Sequence, residues 1–413
     1  MKEAFLSRSI WIKLKNCSPV SIYILSFYAI YLIWRLLQSS LLAVLTEGWI
    51  DAAIHFAILL ALVVGEIYFT RPFKKTLIPA ALFLLLGCLV WFFSGLPDII
   101  DLTILVWCCR KVDFKDIALV SIAITISLSL LIILLSQLGI IVDYIWDPGT
   151  RNRHGLGFLY CTTLSHLFLN VVLLWVFLRR NDLKVIEVAF ILIIDFVIFF
   201  STGSKNSFAL VIFALCLWLL LCLFGNKIPG QIIQPLLGQW VFPIFALLSL
   251  IASLAYDPAL AGWDWLNDIL ANRLSQTHAA LFDYGFMPFG QELPLAGNGL
   301  TPDGVLEQVT GTFDTNFIDN SFMYILLHLG WITLVAAISV LFLLGKRAAI
   351  VRDKYLTLAL FVMALHAIFD PQLISPVYNT FLFLLPSLMM PPNASCSWKE
   401  PLWEPKWLTK KNG

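Results

Sequence analysis

The sequence predicts an all-α polytopic membrane protein with about twelve transmembrane helices, both termini cytoplasmic and one long folded external loop. Three observations carry that prediction. The chain is 60% hydrophobic and 13% charged, with a mean hydropathy of +0.87, far from the composition of a soluble domain. Its apolar residues fall into runs near 19–42, 50–69, 76–93, 96–109, 116–140, 155–178, 184–201, 206–224, 236–256, 320–344, 354–370 and 373–390. Most approach the 20 or so residues that a span requires. With the N-terminus inside, 22 of the 27 Lys and Arg fall in cytoplasmic segments, as the positive-inside rule demands.

Taken in order, the basic stretch Met1–Lys15 leads into a long apolar run with no small-residue cleavage site, so it is read as a retained first span. The fourth run is short and holds Pro97, Asp98 and Asp101. Were it re-entrant, every later orientation would invert and Arg179-Arg180 would fall outside. Residues 1–413 are read as a single integral membrane domain, and 257–319 as a large extracytoplasmic loop between the ninth and tenth spans. A net charge of +1 without a basic stripe gives no basis for a nucleic-acid partner. The eight cysteines lie in apolar runs or tails, without CxxC or Cys/His spacing, so neither a disulfide framework nor zinc is expected. Cys108-Cys109 beside Arg110 reads as apolar filler or as a palmitoylation site. The outward segments carry no Asp-x-Asp pair, P-loop or Gly-x-Ser-x-Gly elbow. No metal and no cofactor is expected.

The long loop has 63 residues, with nine Asp/Glu and a single basic residue, Arg273. Loops of this length inside compact proteins are functional or disordered, and its aromatics (Trp263, Trp265, Phe317, Phe322 at its margin) argue for a folded cap. Leu266, Ile269, Leu270 and Leu274 recur at helical spacing, so a helix is expected over 264–284, with Arg273, Thr277, Ala280 and Tyr284 on one face. His278, five residues from Arg273, lies roughly 140° around that helix. It is a candidate base only if the helix breaks or another element supplies its partner.

Ionisable groups inside spans are costly and mark function by default. Arg35, His55, Asp195, His328, His366 and Asp370 all fall toward the outer side, which points to a wet cavity beneath the loop; separate snorkelling and local pairing is the alternative. Glu66 and Glu187 lie near the inner face, where basic neighbours can pair with them. Three basic sites share the outer side: Arg151 and Arg153 with His154, Gly155 and Gly157; Lys205 in Thr202-Gly-Ser-Lys-Asn206; and Arg273. Cations there suit a lipid pyrophosphate, both to bind it and to stabilise the departing anion. Lipid headgroups or nearby acids such as Asp147 are their alternative partners. Asp319 is a candidate base or, at the start of the tenth span, a helix cap. Glu47 and Asp51 form a candidate carboxylate pair. His166-x-x-x-Asn170 matches the His-x-x-x-Asn of membrane CAAX-type proteases, without the paired glutamates they need.

Three short motifs, in this order and on one side, resemble those of the Wzy-type polysaccharide polymerases within the O-antigen ligase/polymerase superfamily. They are Arg153-His-Gly-Leu-Gly-Phe158; Ser201-Thr-Gly-Ser-Lys-Asn-Ser207; and the loop series Asn272-Arg-Leu274, Phe289-Gly-Gln291 and Asp319-Asn-Ser-Phe322, with Gly330 beyond. The resemblance implies a metal-independent membrane glycosyltransferase for surface polysaccharide (O-antigen, capsule or exopolysaccharide). Its substrate would be undecaprenyl-pyrophosphate-linked oligosaccharide, with membrane lipids, a repeat-unit flippase and a chain-length regulator as partners. The residues read above suit that reaction: Arg153 and Arg273 as catalytic charge stabilisers, His154, His278 and Asp319 as candidates for the base or orienting group, and Arg151, Lys205, Asn320 and Arg35 as candidate substrate contacts. Lys205 stands where the family often has Arg. An O-antigen-type ligase is the nearest alternative, although Phe282 occupies the position where its loop His-x-x-x-Gly would place glycine. A twelve-span transporter or flippase is the alternative of another class, but no internal repeat is visible.

Overall fold

The computed structural model describes residues 18–46, 48–70, 74–146, 152–224, 234–295, 297, 299–301, 304–305 and 317–389. Its α-helices in chain order are α1 Pro19–Gln38, α2 Trp49–Thr70, α3 Lys74–Ser94, α4 Asp98–Cys108, α5 Phe114–Gln137, α6 Thr163–Arg179, α7 Val185–Thr202, α8 Lys205–Phe224, α9 Val241–Ala255, α10 Ala261–Ile269, α11 Arg273–Tyr284, α12 Ser321–Tyr324, α13 Trp331–Ile350 and α14 Lys354–Phe369. One small ribbon pairs β1 Ile145–Trp146 with β2 Arg153–His154. Among the described residues, eight helices are long and apolar enough to cross a membrane, and Ile78–Ser94 and Lys354–Phe369 are shorter apolar helices. The protein is thus an all-α, multi-pass membrane protein.

The helix ends follow local chemistry. Ser18 caps α1 by accepting from Ser21 N at 3.1 Å, with Pro19 in the first turn. Asp113 caps α5, and α7 stops at left-handed Gly203. Helix α6 is the central post, with 78% of its span buried against 17 to 39% for the other seven long spans. It packs against α5, α7, α8 and α14.

Several runs depart from simple spans. The fourth becomes α4, whose 11 residues reach about 16 Å, roughly half the hydrocarbon thickness. The sixth does not turn helical until Thr163, because 155–162 form turns. The twelfth folds as turns through Pro371 and Pro376, followed by a 3-10 helix, Thr380–Met389. The tenth splits into α12, a π-helical turn at Ile325–Leu329, and α13.

The split in the tenth run lies at Gly330, and its cause is a backbone contact with the loop. Gly290 and Gly330 have φ of 92° and 90°. A Cβ on Gly290 would lie 2.2 Å from His328 O, and one on Gly330 2.4 Å from Gly290 N; only glycine fits both positions. Gln291 completes the staple. Its N–H donates to His328 O at 3.1 Å, and its side-chain amide reaches Tyr284 O, Gly285 O and Leu327 O. The Phe289-Gly-Gln291 motif therefore ties the loop to the bundle.

At the end opposite the loop, buried cations meet acids. Arg110 pairs with Glu66, and Arg179 with Glu187 at 2.8 Å, the local pairing expected of those two glutamates. Arg180 grips Asp353 with both nitrogens, at 3.1 and 2.8 Å, and the Asp353 side chain is fully buried. Arg180→Met would leave that carboxylate without its counter-charge, held only by the cap bonds it accepts from Tyr355 N and Leu356 N. Losing one partner of a buried pair costs about 3–5 kcal/mol, so a thermal melt in detergent should show a clearly lowered midpoint, with the specific activity of the folded fraction unchanged.

Candidate functional site

At the loop end, Arg153 and Arg273 both act on one carboxylate, Asp319, although 120 positions of sequence separate them. In the hairpin, Trp146 pairs with Arg153 and Ile145 with His154. The Arg153 guanidinium lies 5.1 Å from the Trp146 ring centroid, and its Nε donates to Thr202 O at 2.8 Å. Gly203 makes room for it, since a Cβ there would meet the Arg153 side chain at 3.0 Å. The Thr202-Gly-Ser turn is therefore the seat of Arg153.

Arg273 is seated in the same manner. The expected helix over 264–284 is broken in two by Ala271 and Asn272, whose φ values are 51° and 63°. Asn267 fixes the break, accepting from Asn272 N at its carbonyl and from Ser275 N at Oδ1. Arg273 thereby starts a new helix, and its Nε donates to Phe369 O at 2.8 Å. Thr202 and Phe369 are the last residues of α7 and α14. Each arginine thus lies at a helix C-terminus, where the carbonyls carry partial negative charge.

Arg273 Nη2 lies 3.2 Å from Asp319 Oδ2. Burial pushes the Asp319 carboxyl up to about 6, against the downward pull of Arg273; Asp370 raises it further, while His166 and Arg153 lower it. Asp319 is therefore within electrostatic reach of both arginines and of a third group that the sequence did not assemble. Asp370 lies between two histidines: His166 Nε2 is 3.2 Å from its Oδ1, and His366 Nε2 3.2 Å from its Oδ2. Asp370 is also held through its backbone carbonyl, which accepts from Ser321 Oγ.

The remaining expected residues are placed elsewhere or given other tasks. His154 follows Arg153 in the same strand, so it faces the opposite side; it pairs with Asp143 at 2.6 Å. His278 shares α11 with Arg273, because the break falls before Arg273. Its Nδ1 meets Ser253 O at 2.9 Å and its ring packs against Tyr256 and Phe282. None of its described contacts is with Arg153, Arg273 or Asp319. The cap of α12 is Asn320, which accepts from Phe322 N and Met323 N. That corrects the expected cap at Asp319 and gives Asn320 a buried structural role. Lys205 is exposed at the start of α8, and no described contact joins it to either arginine. Arg151 and Glu47 lie outside the described residues. Arg35 pairs with Asp98 at 2.5 Å, and Asp98 lines a cleft with Leu96, Tyr324, Leu329 and Pro371, the last being the neighbour of Asp370. Asp51 accepts from Trp34 Nε1 at 2.9 Å, and His55 meets buried Asp101 at 2.5 Å.

His166 is the residue that sequence reasoning placed in the wrong pattern. Its motif partner Asn170 instead holds the 377–380 segment, donating to Val377 O and Thr380 Oγ1. The usable signal was a histidine in the middle of an apolar run. No protein-family model matches this sequence, and no curated protein or solved structure matches it.

Proposed function

We propose that this chain is a membrane glycosyltransferase that polymerises undecaprenyl-pyrophosphate-linked oligosaccharide repeat units on the outer side of the cytoplasmic membrane. The observation that carries this reading is the Arg273–Asp319 pair, 3.2 Å apart at the loop end, with Arg153 near enough to act on the same carboxylate. The distribution of Lys and Arg in the sequence supports an outward orientation for that end.

The chemistry follows from these groups. The two guanidiniums bind the pyrophosphate of the growing chain's lipid carrier and stabilise the charge that develops as it leaves. The bond from the anomeric carbon to the pyrophosphate oxygen breaks. A bond from that carbon to a hydroxyl oxygen of the incoming repeat unit forms, and the hydroxyl proton passes to Asp319. A base titrating near 6 is matched to neutral pH. Pyrophosphate is a good leaving group, so no strong general acid is needed. Arg35, paired with Asp98 of the neighbouring cleft wall, is assigned a lipid or glycan contact.

The test uses purified protein in nanodiscs supplied with lipid-pyrophosphate repeat units. Wild type should produce a ladder of glycan lengths, and Arg153→Ala should lose it by at least about a hundredfold. A single transfer to another acceptor without a ladder would make the protein a ligase. Movement of the lipid-linked unit between leaflets without new glycosidic bonds would assign it to the transporters.

A further inference from the structure

We propose that His166, His366 and Asp370 form a binding site for a first-row divalent transition metal, of the zinc class, in the wall of the site described above. The resemblance to the polymerases implies metal-independent transfer, so this inference stands apart from that expectation.

Three features of the triad point to a cation. Each residue offers one ligand atom, and the three atoms lie within 4.8 Å of one another. The two 3.2 Å nitrogen-to-oxygen contacts run to different oxygens of one carboxylate, His166 Nε2 to Oδ1 and His366 Nε2 to Oδ2, so Asp370 lies between the rings. Bonds of about 2.0–2.1 Å from a tetrahedral zinc imply ligand-to-ligand edges of about 3.3 Å; with either Asp370 oxygen as the ligand one edge is already 3.2 Å, and the three atoms span no more than 4.8 Å. The donor set, two imidazoles and a carboxylate, is one that zinc and its neighbours favour.

The third feature is the failure of these groups to satisfy one another. His366 Nε2 and Asp370 Oδ2 are 3.2 Å apart, one helical turn from each other, yet neither has a hydrogen-bond partner among the described residues. Their side chains are 12% and 8% exposed. Two such atoms, close but misaligned for a hydrogen bond, are placed to share a third atom between them. His166, 3% exposed, completes the set from α6, with its ring centroid 5.1 Å from that of His366. Three protein ligands leave a fourth position open, the pattern of metal sites that meet substrate.

The surroundings fit a cation that works with a phosphate. Asp319 and Asp370 are set against Arg153 and Arg273, so a dication would leave positive charge in excess, which a pyrophosphate would offset. Resting on the polymerase reading, the metal when bound would polarise a phosphate oxygen. The chain's own residues would still bind, orient and accept the proton. The triad also joins α6 to the end of α14, so a metal would clamp the two helices that carry it.

The test is metal binding, read without any substrate. Protein purified in detergent without a polyhistidine tag, stripped with a chelator and equilibrated with Zn²⁺, should retain about one zinc per chain after desalting. Co²⁺ in its place should give the visible absorption of a low-symmetry site, and Zn²⁺ should abolish it. His166→Ala and Asp370→Asn should lose the metal, whereas His154→Gln and His278→Gln, which alter histidines outside the triad, should keep it. Should the triad variants fail to fold, the wild type decides alone: added zinc should raise its melting temperature and the chelator reverse it. Zinc below about a tenth of an equivalent, or equal binding in the triad and control variants, overturns the site. A ladder that persists in excess chelator, with zinc bound beforehand and removed, keeps the polymerase and excludes the metal from its chemistry. A bound zinc with no glycan ladder under any condition retains the metal site and rejects the polymerase.

Discussion

Arg273→Lys should lower glycosyl transfer by at least about a hundredfold while the protein remains folded. The charge is kept, and the geometry is what disappears. Arg273 uses three directions at once: Nε to Phe369 O at 2.8 Å, Nη1 to Leu270 O at 3.2 Å, and Nη2 toward Asp319 at 3.2 Å. A lysine ammonium is a single point on a flexible stem and cannot hold a planar fork against a pyrophosphate. Loss of one well-placed donor at a developing anion costs about 10²–10³ in rate. The check is the initial rate of ladder growth, with size-exclusion profile and thermal melt to establish folding. A rate within threefold of wild type would mean that only the charge matters and would remove the fork from the mechanism.

The second large effect is expected at Asp319. Asp319→Asn removes the proposed base and should cost about 10²–10⁴ in rate. In the wild type, transfer should fall as pH drops through about 6, where the carboxylate takes up its proton. The linked effect on stability has the opposite direction from that of an ordinary paired carboxylate. Burial raises the folded value to about 6 from the reference of 3.8. The folded state therefore binds the proton more tightly than the unfolded chain. The ionised form opposes folding by at most about 3 kcal/mol. That penalty is complete above pH 6 and disappears as pH falls below about 4. At pH 7.5 the asparagine variant should be inactive yet melt no lower than wild type. A markedly lower melt would instead assign Asp319 to holding Arg273, as a positioning residue.

The helical membrane architecture was legible because burial in lipid and hydropathy act on each run locally. Arg153 and Arg273 stood out because basic residues assigned to the outer side, against the usual bias, are few and easily counted; Asp319 entered through its place at the start of the tenth span. His154 was misplaced through adjacency: in a strand, neighbours face opposite ways. His278 was conditional on a helix break, and the break occurs, but upstream of Arg273, where two residues of positive φ outweigh a regular leucine pattern. The interruption at Gly330 was invisible because its cause is another glycine, Gly290, whose backbone it touches. The His166–Asp370–His366 cluster escaped notice for a similar reason, since only tertiary packing brings α6 beside the end of α14.

That pairing sets a timetable for the molecule's birth. Asn170, one turn from His166, finds its partner Val377 only 207 residues later in the chain. At ribosomal speeds of about 5–20 residues per second, the wait is about 10 to 40 s. Through that interval the central helix carries a histidine and an asparagine into lipid without their partners, at a cost in hydrogen bonding that the finished bundle removes. On the reading proposed above, the site for a lipid-linked sugar is incomplete until α14 has been delivered, since Phe369 seats Arg273. A chain truncated before α14 lacks both Phe369 and Asp370 and should therefore show no transfer.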